Sequence, residues 1–205
     1  MSDTKKLIFA TENPGKLREI KAILGDLGYE ILSMKEAGID IEIVEDGETF
    51  QDNALIKAKA VCKASGHLAL ADDSGLEVDA MDKAPGVYSA RWMGRDTSYD
   101  VKNQAIIDNL KGVPDEERTA RFVCACAAVF PSGDEFVITQ TMEGRIGYEI
   151  AGANGFGYDP IFYLPEYGKT SAEISPEEKN AISHRGKALR KMAEMIKKVD
   201  GLTEE

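Results

Sequence analysis

Histidine and cysteine are scarce in this chain, and their scarcity narrows its chemistry. His67 and His184 are the only histidines in 205 residues, which excludes a multi-histidine metal cluster. Three cysteines, Cys62, Cys124 and Cys126, are odd in number and form no Cys-x-x-Cys, so neither a disulfide framework nor a zinc site is expected. Cys62 lies in an Ala-rich helical stretch, and Cys124 and Cys126 sit two apart in a strand-like run; these positions suit core packing. No apolar run reaches the 18 residues of a membrane span, and Met1-Ser2-Asp3-Thr4-Lys5-Lys6 leads into a strand with no signal-peptide core, so the cytoplasm is the expected compartment. Basic charge is short as well. With 25 Lys and Arg against 36 Asp and Glu, the net charge of −11 argues against nucleic acid or an anionic membrane as a partner. A small anionic substrate remains compatible wherever Lys and Arg converge locally.

The rest of the chain alternates strand and helix signals without a long linker or an internal repeat. Leu7, Ile8, Phe9 and Ala10 predict a short strand, followed by a tight loop and a helix carrying Leu17, Ile20, Leu24 and Leu27. The period-two run Ile39-Asp40-Ile41-Glu42-Ile43 predicts a half-exposed strand. Thr49 and Asp52 predict a capping box at the start of an Ala-rich helix reaching Ser65. Residues 68–71 predict a buried strand ending at an Asp pair, with residues 76–81 as the second strand of a hairpin. Pro85-Gly86 marks a turn, residues 99–110 a helix, and residues 120–130 and 136–146 two strands joined by Pro131-Ser132-Gly133-Asp134. Ser175-Pro176-Glu177-Glu178 starts a helix, and a last helix spans 186–199.

Four places carry chemistry. Asp72-Asp73-Ser74-Gly75 follows an apolar strand, and two adjacent carboxylates there call for a hard divalent cation or a nearby Lys or Arg; Asp-Ser-Gly is also ordinary turn chemistry, and the tetrapeptide alone fits either. Thr11-Glu12-Asn13-Pro14-Gly15-Lys16 joins a strand to a helix N-terminus, where dipole and ammonium both favour phosphate oxygens, although an ordinary βα turn has the same composition. It is not a Walker A loop, because Leu17 stands where that motif has Ser or Thr. Gly152-Ala153-Asn154-Gly155-Phe156-Gly157-Tyr158-Asp159 combines backbone freedom with an aromatic ring, suited to ligand stacking or to a structural loop. Lys179 and Ser183-His184-Arg185 put donors at a break between two helices, or form a solvated basic surface.

In combination and in this order, Thr11-x-Asn13-x-x-Lys16, Glu45-Asp46-Gly47-x-Thr49-Phe50-x-x-Asn53-Ala54, Asp72-Asp73-Ser74-Gly75, Pro85-Gly86-Val87-Tyr88-Ser89-Ala90-Arg91, Phe156-Gly157-Tyr158-Asp159 and Ser183-His184-Arg185 span nearly the whole chain. The chain thereby closely resembles the inosine/xanthosine triphosphate pyrophosphatase family. The resemblance implies an α/β fold with an elongated mixed sheet, flanking helices and two lobes around a cleft, all within one domain over 1–205, commonly a homodimer. It implies Mg²⁺-dependent hydrolysis of non-canonical purine nucleoside triphosphates to monophosphate and pyrophosphate. Thr11, Glu12, Asn13, Pro14, Gly15 and Lys16 would hold the triphosphate, and Ser74 would contact substrate. Asp73 would be proton acceptor and metal ligand, with Asp72 beside it. Phe156, Gly157, Tyr158, Asp159, Lys179, His184 and Arg185 would form the nucleoside pocket. Many members carry two successive acids before the Thr-Phe helix start; here Val44 precedes Glu45, leaving Glu45 as the metal-side carboxylate. The same contacts would suit a nucleotide sensor, but a pure anion binder gains little from carboxylates beside phosphates, which favours an enzyme.

Overall fold

A computed structural model describes residues 5–11 and 13–201, so the expected phosphate contact at Glu12 lies outside the described residues. Among the described residues seven strands form one sheet: β1 (Lys6–Phe9), β2 (Glu30–Ser33), β3 (Leu68–Val78), β4 (Thr119–Val129), β5 (Glu135–Ile146), β6 (Phe162–Leu164) and β7 (Lys169–Thr170), in the order β2-β1-β3-β4-β5-β6-β7. β1 runs parallel to β2 and β3, whereas β6 runs antiparallel to β5 and β7, so the sheet is mixed as expected. The helices are α1 (Pro14–Leu24), α2 (Phe50–Ser65), α3 (Tyr99–Asn109), α4 (Pro176–Ile182) and α5 (His184–Val199). Among the described residues no helix is long and apolar enough to cross a membrane.

The chain divides into two compact units, one of Met1–Asp73, Cys124–Gln140 and Arg185–Glu205, the other of Ser74–Val123 and Thr141–His184. In the first, alternate residues of three strands share a face: Leu7 and Phe9, Leu68 and Leu70, Cys124 and Cys126. The parallel register sets Leu7 beside Leu68 and Phe9 beside Leu70. Against this face pack Ile20 and Leu24 of α1 and Leu189, Met192 and Ile196 of α5, so the cysteines are core residues. Helix α2 begins at the expected capping box, with Thr49 and Asp52 each accepting from the other's backbone, and ends at Gly66 in the left-handed region. Its buried face includes Phe50, Ala54, Ala58 and Val61, and with them the polar Asn53 and Lys57.

The second unit packs Leu76 and Val78 of β3, Phe122 of β4, Met142 of β5 and Phe162 of β6 around Ile106 and Leu110. Gly144 is required within β5, because a Cβ there would stand 2.7 Å from the Phe162 ring. Arg118 is fully buried; its guanidinium donates to the carbonyls of Leu110, Ile146 and Gly147 at 2.8–2.9 Å and lies 4.1 Å from the Tyr148 ring centroid. Three carbonyl acceptors and an aromatic face offset the cost of taking the charge out of water.

Two expectations are corrected. β3 does not stop at the Asp pair: it runs unbroken through Asp72, Asp73, Ser74 and Gly75, and Asp79–Met81 is a short 3-10 turn, so residues 68–81 form no hairpin. Turn propensity is a weak prior, and ladder pairing together with cations on both sides of the strand overrides it. Residues 39–43 form no strand either; their exposure alternates as the sequence does, but the strand beside β1 is Glu30–Ser33, with Lys6 opposite Glu30. Periodicity reports which side chains are buried and says nothing of which backbone they pair with.

Because Thr49 satisfies an otherwise orphaned N–H at the start of α2, Thr49→Ala should cost about 1 kcal/mol. A drop in Tm of about 2–4 °C is expected for a domain of this size, and an unchanged Tm would show that the cap carries no stability.

Candidate active site

Adjacent residues of a strand face opposite ways, so Asp72 and Asp73 in the middle of β3 meet different surroundings. Asp72 shares its face with Leu68 and Leu70, and its side chain is 0% exposed. Two cations meet it: Lys16 Nζ donates to its carboxylate at 3.0–3.1 Å, and Arg185 Nε donates to Oδ2 at 3.2 Å. The Cys124 thiol stands 4.0 Å from the same oxygen. The other edge of the Arg185 guanidinium donates to Glu19 of α1 at 2.5 Å. Burial works against the Arg185 charge, but Asp72 and Glu19 outweigh it and hold the guanidinium pKa above its usual range.

Asp73 faces α2. Asn53 Nδ2 donates to Asp73 Oδ2 at 3.1 Å, and the Lys57 ammonium stands 3.8 Å from Oδ1 while donating to Glu45 Oε2 at 2.9 Å. Asn53 and Lys57 are one helical turn apart, so a single face of α2 supplies both. Asn53 Oδ1 in turn accepts from the Gly47 N–H at 2.9 Å, and a Cβ on Gly47 would come within 2.7 Å of that same oxygen, so glycine is needed for the close approach. Burial pushes the Asp73 carboxyl above its ordinary pKa, against the fields of Lys57 and Lys16 and the Asn53 hydrogen bond. For Lys57 burial again opposes the charge, yet Asp73, Asp72 and Glu45 together raise its pKa. Lys57 thus bridges Glu45 and Asp73 with a positive charge between two hard oxygen donors.

Among the described residues no three His, Cys, Asp or Glu side chains converge as a ready metal cage. Mg²⁺ is ordinarily held by one or two carboxylates plus substrate phosphates rather than by an all-protein cage, and the oxygen donors Glu45 and Asp73 suit it. Asp72, expected beside the metal, is enclosed by Lys16, Arg185 and Cys124.

At the start of α1, Asn13 caps the helix: its Oδ1 accepts from the N–H groups of Gly15 and Lys16 at 2.8 and 3.2 Å, Thr11 Oγ1 accepts from the Asn13 N–H, and Pro14 occupies the first turn. Two backbone donors expected to face an anion are therefore taken up internally. The helix dipole and the Lys16 ammonium, which also meets Asp72, still favour phosphate at this end.

The second unit gathers the Gly-rich segment and α4. Asp159 accepts from the Phe156 N–H at 2.8 Å, from Ser171 Oγ at 2.8 Å and from Lys179 Nζ at 2.6 Å. The same ammonium lies 5.0 Å from the Phe156 ring centroid. Gly155, with φ of 73°, has no room for a Cβ, which would stand 2.1 Å from Asp159 Oδ2. Tyr158 is buried and donates to the Ser89 carbonyl at 2.7 Å, and Gly157 is left-handed at φ 68°. The break between α4 and α5 falls at Ser183, and His184 stacks on Phe122 with centroids 4.9 Å apart. Ser74 lies half-buried in β3. Sequence reasoning assigned no part to Lys57, none to Asn53 beyond its place in the motif that begins at Glu45, and none to Glu19. For the first two a signal existed, since polar residues at 53 and 57 interrupt the apolar face made by 50, 54, 58 and 61. Glu19 carries none, because its partner is 166 residues away.

The Ham1 family model matches residues 7–195 of the chain. The chain is similar to a dITP/XTP pyrophosphatase of Exiguobacterium sibiricum, 50% identical over 187 residues that cover 91% of this chain and 94% of the relative. Among solved structures it is similar to a HAM1 protein from Coxiella burnetii, with TM-score 0.86 and 39% identity, covering 95% of this chain and 99% of that one. It is also similar to a nucleoside-triphosphatase/dITP/XTP pyrophosphatase from Mycobacterium abscessus, with TM-score 0.74 and 45% identity over 91% of this chain and 98% of that one.

The raised pKa of Asp73 has a consequence for stability. A carboxyl whose folded pKa exceeds its unfolded value favours folding below the unfolded pKa and loses that contribution as pH rises through the folded one. In metal-free protein, Asp73→Asn should therefore raise Tm relative to wild type at pH 8, and the difference should vanish as pH falls below the ordinary Asp range. A Tm lower than wild type at pH 8 would contradict the undercompensated carboxylate.

Proposed function

The chain belongs to the Ham1 family, and on that premise we propose that it hydrolyses non-canonical purine nucleoside triphosphates, those of inosine, deoxyinosine and xanthosine, to monophosphate and pyrophosphate, clearing them from the nucleotide pool. What carries this reading is the divided Asp pair of β3, one acid enclosed by fixed cations and the other half-compensated beside Glu45. An electrostatic anchor next to an acid able to take a proton suits hydrolysis of an anionic substrate; a sensor has no use for the second acid.

Glu45 and Asp73 would hold Mg²⁺ together with phosphate oxygens, and the cation would supply neutralisation of the charge that builds up as the anhydride breaks. Asp73 takes the proton of the attacking water, a task favoured by the upward push that burial gives its pKa. Lys57 stabilises the ionised Asp73, and Asn53 orients it. Lys16, at the N-terminal end of α1, with Thr11, Asn13, Pro14 and Gly15, takes the phosphates. Asp72 holds Lys16 and Arg185 in place as their counter-ion. We assign Arg185 this anchoring part, since Asp72 and Glu19 engage its guanidinium.

On the purine, the Phe156 ring stacks, with Gly157, Tyr158 and His184 shaping its surroundings and Ser74 contacting substrate. Lys179, steadied by Asp159, donates to the 6-oxo group that hypoxanthine and xanthine present where adenine has an amino donor. A donor facing that amino group is left unpaired at a cost of roughly 1–3 kcal/mol or more. Guanine shares the 6-oxo group, so its 2-amino group is refused separately by shape. The protein is expected to act in the cytoplasm as a homodimer, a state sedimentation velocity reads directly.

Incubation with inosine triphosphate and Mg²⁺ should release pyrophosphate and no orthophosphate, and activity should disappear in excess EDTA. Asp73→Asn should lower kcat by about a hundredfold to ten-thousandfold while the protein stays folded. kcat/KM for inosine and xanthosine triphosphates should exceed that for ATP by up to about ten-thousandfold, and Lys179→Met should erase most of the gap. Orthophosphate as the product, or equal kcat/KM for ATP and inosine triphosphate, would overturn the reading.

A further inference from the structure

Helix α3 presents Tyr99, Lys102 and Asn103 on one face, by their spacing of three and four residues; Lys102 and Asn103 reach backbone carbonyls of the second unit, and Tyr99 reaches a ring. Asn103 Nδ2 donates to the Gly157 carbonyl at 3.1 Å. Lys102 Nζ donates to the Ala90 carbonyl at 3.0 Å and lies 4.9 Å from the Tyr99 ring centroid. Tyr99 meets the Tyr158 ring edge-on, with centroids 5.2 Å apart, and a Cβ on Gly157 would stand 3.6 Å from Tyr99. Tyr158 closes the group through the Ser89 carbonyl. The segment that includes Phe156 is thus held by α3 through one backbone hydrogen bond and one ring contact.

Stability alone does not account for Asn103. Its side chain is buried, and Oδ1 has no hydrogen-bond partner among the described residues. A buried acceptor left in that state costs about as much as one good hydrogen bond returns. Turning the amide over offers no relief, because it would set Oδ1 against the Gly157 carbonyl oxygen and lose the bond that exists. A leucine has nearly the same shape and would strand no acceptor, but it cannot donate to Gly157.

Resting on the reading that residues 156–159 take the purine, we propose that Asn103 is a positioning residue for the base. By holding the Gly157 carbonyl it fixes the Gly157–Tyr158 peptide, one residue beyond Phe156, and so limits how the turn that carries the ring can tilt against the purine. Asn103 itself contacts no substrate. Stacking is equally available to bound substrate and to the transition state, so loosening it weakens binding and leaves the chemical step alone.

Asn103→Leu separates this role from a structural one. The variant should keep a Tm equal to or above wild type, raise KM for inosine triphosphate about five- to tenfold, and keep kcat within about twofold, as expected for one net hydrogen bond. The inhibition constant of inosine monophosphate should rise by the same factor, whereas that of pyrophosphate, which has no base, should not move. Asn103→Asp keeps the shape but sets an acceptor against the Gly157 carbonyl, so KM should rise at least as far; it carries the test if the leucine variant does not fold. Wild-type KM and wild-type inosine monophosphate inhibition in a folded variant would overturn the inference while leaving the proposed function standing. Failure of the wild-type protein to cleave inosine triphosphate would strike the purine reading itself, and the inference with it.

Discussion

A carboxylate buried at the centre of a sheet is the constraint on which the first unit depends. Asp72 cannot be left alone in that position, since an unpaired charge removed from water costs several kcal/mol. The two cations that meet it each stand in the first turn of a helix, Lys16 in α1 and Arg185 in α5. Glu19, within α1, then engages the far edge of Arg185. Charge pairing therefore sets the rotation of two helices whose apolar faces, through Ile20, Leu24, Leu189 and Met192, close the core beside Leu68 and Leu70. The two effects reinforce each other: the core excludes water from the pair, and the low dielectric makes each partner costly to remove.

The pleat of β3 gives the neighbouring acid the opposite condition. Asp73 looks toward α2, where a lysine shared with Glu45 and one amide donor compensate it only in part, and its pKa is raised as a result. An acid in this state is where added positive charge gains most. One residue step along a strand thus divides a carboxylate enclosed by cations from one that is only partly compensated, without any loop between them.

In the second unit the organising acid is Asp159. Its two oxygens serve the Phe156 N–H, Ser171 and Lys179, so the turn holding the aromatic ring and the helix holding the ammonium share one centre. Gly155 stands where a side chain would occupy the place of Asp159 Oδ2, and α3 steadies the other end of the segment through Gly157.

Much of this was written in local sequence. The capping boxes at Thr49 and Ser175, the apolar stripe of α5, the buried strand of Cys124 and Cys126 and the order of the motifs depend on spacings of two to four residues, within which sequence and geometry are tied directly by helix and strand periods. The same local logic misjudged residues 72–75, where Asp-Ser-Gly carries a turn signal but continues a strand, and residues 39–43, where alternation is real but no partner strand lies beside it. Which cation meets which acid was beyond its reach. Arg185 finds Asp72 across 113 residues and Glu19 across 166, and no periodicity encodes a contact at that separation. The sequence by itself determined the helices, the long strands and the chemical types available to the site. The tertiary structure alone decided that Asp72 is fully enclosed between two cations and Asp73 only partly compensated, because that difference follows from which helices pack on each face of β3.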